Sequence, residues 1–136
     1  MASGTTTLWR QGLLSGSYNM SSNTLYCALM NSTYTFNAAQ TTWSSISSTE
    51  ISVATGYTAG GAALTSLVVS SVGGVPYFSA TNQAWASFTG SPYHAVIYDT
   101  SVSSNIVCAI DFGGIQTVSA GTLTLSWNAS GIVTLS

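Results

Sequence analysis

A chain of 136 residues, 46% of them hydrophobic, is long enough for one packed domain and too apolar for a disordered tail. Only 3% of residues are charged: Arg10 is the single strong base, Glu50, Asp99 and Asp111 are the acids, and His94 is the lone histidine. One arginine cannot neutralise a phosphate backbone or hold an anionic bilayer, so neither nucleic acid nor a membrane surface is an expected partner.

Residues 1–7 are small and polar and read as a flexible N-terminal arm, with residues 8–136 forming a single domain. The arm lacks the basic and apolar regions of a secretory leader, and the expectation is a chain folded in a cytosol. Leu8, Trp9, Leu13 and Leu14 suggest a first strand. A turn-rich connection follows over 16–23. Residues 24–30 predict a strand with apolar side chains on both faces, as in a central strand covered twice.

The β pattern lapses over 35–48. Asn37 with Gln40 three residues on fits a helix cap, and Ala39, Trp43 and Ile46 recur at helical spacing, so one short helix is expected here. Residues 50–61 read as a loop in which Gly56, Gly60 and Gly61 take positive φ. Residues 63–72 predict a strand, Gly73-Gly74 a two-residue hairpin turn, and 75–80 the return strand, with Pro76 confined to an edge or a strand start. Thr81-Asn82 turns into a strand over 83–88.

From Tyr93 onward come four short runs rich in β-branched and aromatic residues, the pattern of consecutive antiparallel strands. In the third, Leu123, Leu125 and Trp127 alternate with Thr122, Thr124 and Ser126, so one face is apolar and the other hydroxylated. Residues 128–131 read as a hairpin loop with Gly131 left-handed. The sum is an all-β protein: an antiparallel β-sandwich of about eight to nine short strands with one short helix.

No catalytic, cofactor or metal motif stands out. His94, Asp99 and the many serines could form a nucleophilic triad by chance, yet no Gly-x-Ser-x-Gly elbow is present. Glu50 with Asp111 could be a glycosidase pair, though nothing in the sequence sets their distance. Cys27 and Cys108 lie inside strand patterns and read as reduced core residues. The order Cys27, Trp43, Cys108 mimics an immunoglobulin domain, but the tyrosine-corner position is Ile106. Asn19, Asn31 and Asn128 each begin an Asn-x-Ser/Thr triplet, expected by chance where Ser and Thr make up roughly a third of the residues. Trp9, Trp43, Trp85 and Trp127 could line a glycan-binding face or fill core and interface.

Two segments carry a resemblance. Glu50-Ile-Ser-Val-Ala-Thr-Gly-Tyr-Thr-Ala-Gly-Gly-Ala-Ala-Leu64, and Asp111-Phe-Gly-Gly with Gly121-Thr-Leu-Thr-Leu-Ser-Trp-Asn-Ala-Ser-Gly-Ile132, resemble small structural proteins of tailed-bacteriophage virions that decorate or cement capsids. The resemblance runs from about Phe36 to the C-terminus. It implies a β-sandwich without enzymatic activity, made in the host cytoplasm and seated on the capsid surface. It further implies a homo-oligomer, a trimer, with the major capsid protein as partner. Family members usually carry more charge than this chain. The alternative expectation is a host-adhesion module of a phage surface or tail that binds a host surface glycan.

Overall fold

The computed structural model describes residues 3–52 and 55–135. Its centre is a five-stranded antiparallel sheet of order β1-β8-β7-β2-β3: β1 (Gly4–Thr5), β2 (Leu25–Met30), β3 (Ala62–Ala63), β7 (His94–Asp99) and β8 (Asn105–Asp111). Two smaller sheets face it. One is β10-β5-β4, from β4 (Val68–Val72), β5 (Val75–Ser79) and β10 (Val133–Thr134); the other pairs β6 (Gln83–Gly90) with β9 (Val118–Leu125). One α-helix, α1 (Thr7–Ser15), packs among them. The protein is thus an all-β antiparallel sandwich with one short helix.

Each face of the large sheet has its own apolar cluster. On one side Leu25, Cys27, Leu29, Ile97 and Val107 meet Trp9, Phe78, Trp85, Phe88 and Leu123 from α1 and the small sheets. On the other, Met30, Val96, Ile106 and Ala109 are covered by Tyr34 and Ile46, with Phe36 and Trp43 at the rim. Residues 24–30 therefore behave as their pattern predicts, with both faces buried.

The single helix lies where a strand was expected, and the expected helix is absent. Thr6 caps α1 by accepting from the Trp9 backbone N–H at 3.2 Å. Gly16 ends it in the left-handed conformation, with Gly16 N–H bonded to Leu13 O and Ser17 N–H to Gly12 O. Trp9, Gly12 and Leu13 share the inward face, and the Tyr18 ring fills the space a Cβ on Gly12 would need. In 35–48 local side-chain bonds win instead. Asn37 Oδ1 accepts from Ala39 N–H, Ser45 Oγ donates to Thr42 O, and Thr49 Oγ1 donates to Ile46 O. The backbone settles into two 3₁₀ turns, Trp43–Ser45 and Ser47–Thr49.

The segment expected to be a free arm is docked from Gly4 onward. Gly4 and Thr5 pair with Ala109 and Cys108 of β8. Beside them a β-bulge interrupts the β7–β8 ladder: Ile97 faces Cys108 and Tyr98 faces Ile106, leaving Val107 unopposed. Thr6, fully buried, satisfies the carbonyls this exposes. Its N–H donates to Val107 O at 3.1 Å and its Oγ1 to Ile106 O at 2.6 Å.

Two further expectations change. The run 63–72 is broken into β3 and β4, with Ser66 at φ 54° between them. The turn at 128–131 is present, with Gly131 at φ 100°, but it carries the chain from β9 to the other small sheet and closes no hairpin. The Gly73-Gly74 turn is as expected, with both φ positive between paired Val72 and Val75.

Trp9→Ala should cost about 3–5 kcal/mol, whereas Trp127→Ala, at the half-exposed margin, should cost about 1–2 kcal/mol; urea titration checks both. Thr6→Val keeps the shape but orphans a helix N–H and a buried carbonyl, and should cost about 2–3 kcal/mol in the same assay.

Candidate functional site

The ionisable groups do not converge. His94 opens β7 and Asp99 closes it, so five residues of extended chain, roughly 16 Å, separate them. Asp99 is fully buried and engaged locally: Asn23 Nδ2 donates to Oδ2 at 2.7 Å and Ser101 N–H to Oδ1 at 2.9 Å. His94 is fully buried too, and neither ring nitrogen has a hydrogen-bond partner. No serine hydroxyl reaches it, so the triad suggested by the sequence does not assemble.

Two groups face the imidazole. Asp111, its cross-strand partner, places Oδ1 3.7 Å from Nε2, and Tyr34 meets the ring edge-on at 5.3 Å between centroids. Burial holds the His94 pKa below its ordinary value, with the Asp111 carboxylate opposing the shift.

Glu50 and Asp111 lie on one row across the sheet, Glu50–Met30–His94–Asp111. Three strand spacings put their backbones roughly 14 Å apart, beyond the ~5–9.5 Å between the carboxyl groups that cleave glycosides. Each carboxylate also has a local task. Glu50 Oε2 accepts from Tyr57 OH at 2.5 Å and Gly60 N–H at 2.7 Å. Asp111 Oδ1 accepts from Gly113 N–H at 2.9 Å.

The described residues of the Glu50–Leu64 segment, one of the two that carry the resemblance, form a strap pinned to β2. Tyr57 OH, held by Glu50, accepts from Leu29 N–H at 3.0 Å. Tyr98 OH donates to Gly60 O at 2.6 Å. Gly61, at φ 85°, lies so close to β2 that a Cβ would fall 2.0 Å from Cys27 O. These residues are scaffold, and the string Gly-Tyr-Thr-Ala-Gly-Gly is legible as packing.

Cys27 and Cys108 are free thiols facing Ile97 from either side in one cross-strand row. Burial, and then the neighbouring Cys108, push the Cys27 thiol far above its ordinary range; burial alone pushes Cys108 up to about 12. Both stay protonated and unreactive at neutral pH. Among the described residues, no three of His, Cys, Asp and Glu gather closely enough to hold a metal ion, and no helix is long and apolar enough to cross a membrane.

The four tryptophans do not share a face. Trp9 and Trp85 are core. Trp43 lies on the far side of the large sheet, stacked on Tyr98 at 4.6 Å and 8°. Trp127 sits at the core margin and donates from Nε1 to Thr81 O at 3.1 Å. The Asn-x-Ser/Thr triplets have a local explanation. Asn19, Asn31 and Asn128 each accept, through Oδ1, the backbone N–H two residues on, forming Asx turns.

What remains is surface. Leu14, Val68, Val69, Val72, Ile115 and Leu135 are large apolar residues left exposed. Four of these, Val68, Val69, Val72 and Leu135, belong to or flank the β10-β5-β4 sheet. Beside that sheet opens an apolar pocket of about 90 Å³, lined by Trp9, Leu13, Met20, Val69, Phe78 and Leu135 among others. It offers shape and apolar contact but almost no polar group. The sequence pattern places Val68, Val69, Val72 and Leu135 on strands without showing which would lack a cover.

Comparison with protein-family models, with curated proteins and with solved structures gives no match.

The buried imidazole generates a pH dependence of stability. With its native pKa depressed, the unfolded chain binds the extra proton first, so stability is full above about pH 6.5 and falls as pH drops below it. Urea midpoints should decline between pH 7.5 and 5.5. Asp111→Asn should steepen that decline, and His94→Leu, which also removes two orphaned nitrogens, should flatten it.

Proposed function

We propose that the chain is a structural component of a tailed-phage virion, a capsid cement protein that bridges major capsid subunits on the outer shell. The observation that carries this reading is charge depletion on a surface that also exposes apolar strand residues. A free protein keeps charged residues on its surface to stay dispersed, while the buried centre of an interface sheds them. Val68, Val69 and Val72 are between 48% and 56% exposed on a chain with three acids and one strong base. The likeness of residues 50–64, 111–114 and 121–132 to decoration proteins supports the same reading, with the trimer as the implied form.

The mechanical logic follows from the composition. A cement protein opposes the outward pressure of packaged DNA by tying neighbouring subunits together, and many identical weak contacts sum to a strong one. With so few charges, attachment should depend on apolar contact and backbone hydrogen bonding and vary little with salt. The alternative, a glycan-binding adhesion module, draws on the number of aromatic residues; the four tryptophans lie in separate parts of the fold.

Virions carrying the protein should release DNA at a lower temperature once it is stripped away, and adding it back should restore the original temperature. Dye-monitored melting measures this at low and high salt. Unchanged melting after stripping overturns the cement role, and specific retention on a glycan array would favour adhesion instead.

A further inference from the structure

The three-stranded sheet ends on β4, whose outer side pairs with nothing among the described residues. All five residues of this strand, Val-Val-Ser-Ser-Val, are exposed. Sheet edges are normally blunted by shortness, charge, proline or a bulge. The other edges here obey that rule. β1, β3 and β10 are two residues long, and β6 and β9 carry register shifts with positive φ at Ser87 and Ala120. β4 has none of these devices. It runs in unbroken register with β5 over five pairs, without a charge or a proline.

The hairpin decides which backbone groups are free. Gly73-Gly74 closes a two-residue turn, so Val72 and Val75 exchange the first ladder bonds, followed by Ser70 with Tyr77 and Val68 with Ser79. The N–H and C=O groups of Val69 and Ser71 therefore point outward. A partner strand must present outward groups at the same spacing. A second copy of β4 does so when Ser70 meets Ser70 across a two-fold axis. Val69 then faces Ser71 in both directions, making four backbone hydrogen bonds, and Val68 faces Val72 at both ends. The strand reads nearly the same either way about Ser70, as an isologous contact requires.

We propose that β4 is a two-fold docking edge for a second copy of this chain, joining two three-stranded sheets into one of six. The face presenting Val69 and Ser71 adjoins the apolar pocket, so the incoming strand also covers Val69, now 54% exposed beside the pocket mouth. A closed three-fold ring cannot contain a two-fold contact, so in a trimeric protein this edge ties one trimer to the next. The contact concerns the strand alone and stands whether or not the protein is a capsid component.

Disulfide trapping tests it on the whole chain. A non-hydrogen-bonded antiparallel pair has Cα atoms about 4.5 Å apart, within the span a disulfide bridges. The native thiols, Cys27 and Cys108, are buried and contribute little background. Under mild oxidation, Ser70→Cys should form covalent dimers at least about tenfold faster than Thr122→Cys, an exposed site on β9. Val68→Cys and Val72→Cys should cross-link when mixed and not when alone. Ser71→Pro removes an outward N–H, and Val69→Lys adds a charge without touching the backbone; combined with Ser70→Cys, each should return the rate to that of the control. Equal rates for Ser70→Cys and Thr122→Cys overturn the proposal, as does a fast rate that survives Val69→Lys.

Discussion

β7 is buried at every one of its six residues, and a strand buried on both faces needs a cover on each. That requirement organises the molecule. One face takes α1 and the two small sheets, which supply Trp9, Phe78, Trp85 and Phe88. The other takes residues 31–52, which have little regular structure and cover the sheet with Tyr34, Ile46 and Trp43. Such an irregular cover must satisfy its own backbone, and the density of Ser, Thr and Asn allows it to do so through Asx turns and hydroxyl-to-carbonyl bonds.

The few polar groups inside the fold divide into two kinds. Thr6, Asp99 and the Glu50–Tyr57 pair are bonded to backbone or neighbouring side chains, and each joins segments distant in sequence or closes a loop. His94 is the exception. It sits between Tyr34 and Asp111 with both nitrogens unpaired, a cost of about 1–3 kcal/mol in a buried site. Its energetic consequence is a fold that prefers a neutral imidazole, and so weakens under mild acid.

Function, by contrast, is assigned to the outside. The interior consumes nearly all the groups that could do chemistry: the thiols are buried and protonated, the carboxylates are engaged, and the imidazole is sealed. The surface is left with hydroxyls and a few apolar strips. Among the free sheet edges of the described residues only β4 combines length, regular register and exposed β-branched residues. Interaction through backbone and apolar contact fits that surface better than recognition by charge.

Local pattern determined the strands. Alternation at 122–127, the doubly apolar run at 24–30, and the glycine pairs at 60–61 and 73–74 are short-range signals, and the fold honours them because side-chain period and φ preference act within a few residues. The helix is the misreading: Leu8, Trp9, Leu13 and Leu14 suggest a strand, whereas Thr6 and Gly16 cap a helix whose Trp9 packs on Phe78. Pairing was decided only in three dimensions. Nothing local to β9 states that it joins β6 rather than β8, or that residues 4–6 fill a bulge a hundred positions away. The same holds for the sites. Composition announced that charge was scarce, but whether His94, Asp99, Asp111 and Glu50 would meet depended on strand order, and strand order set them apart. It also left β4 at an edge, because which strand lacks a neighbour is a property of the whole sheet and not of the strand.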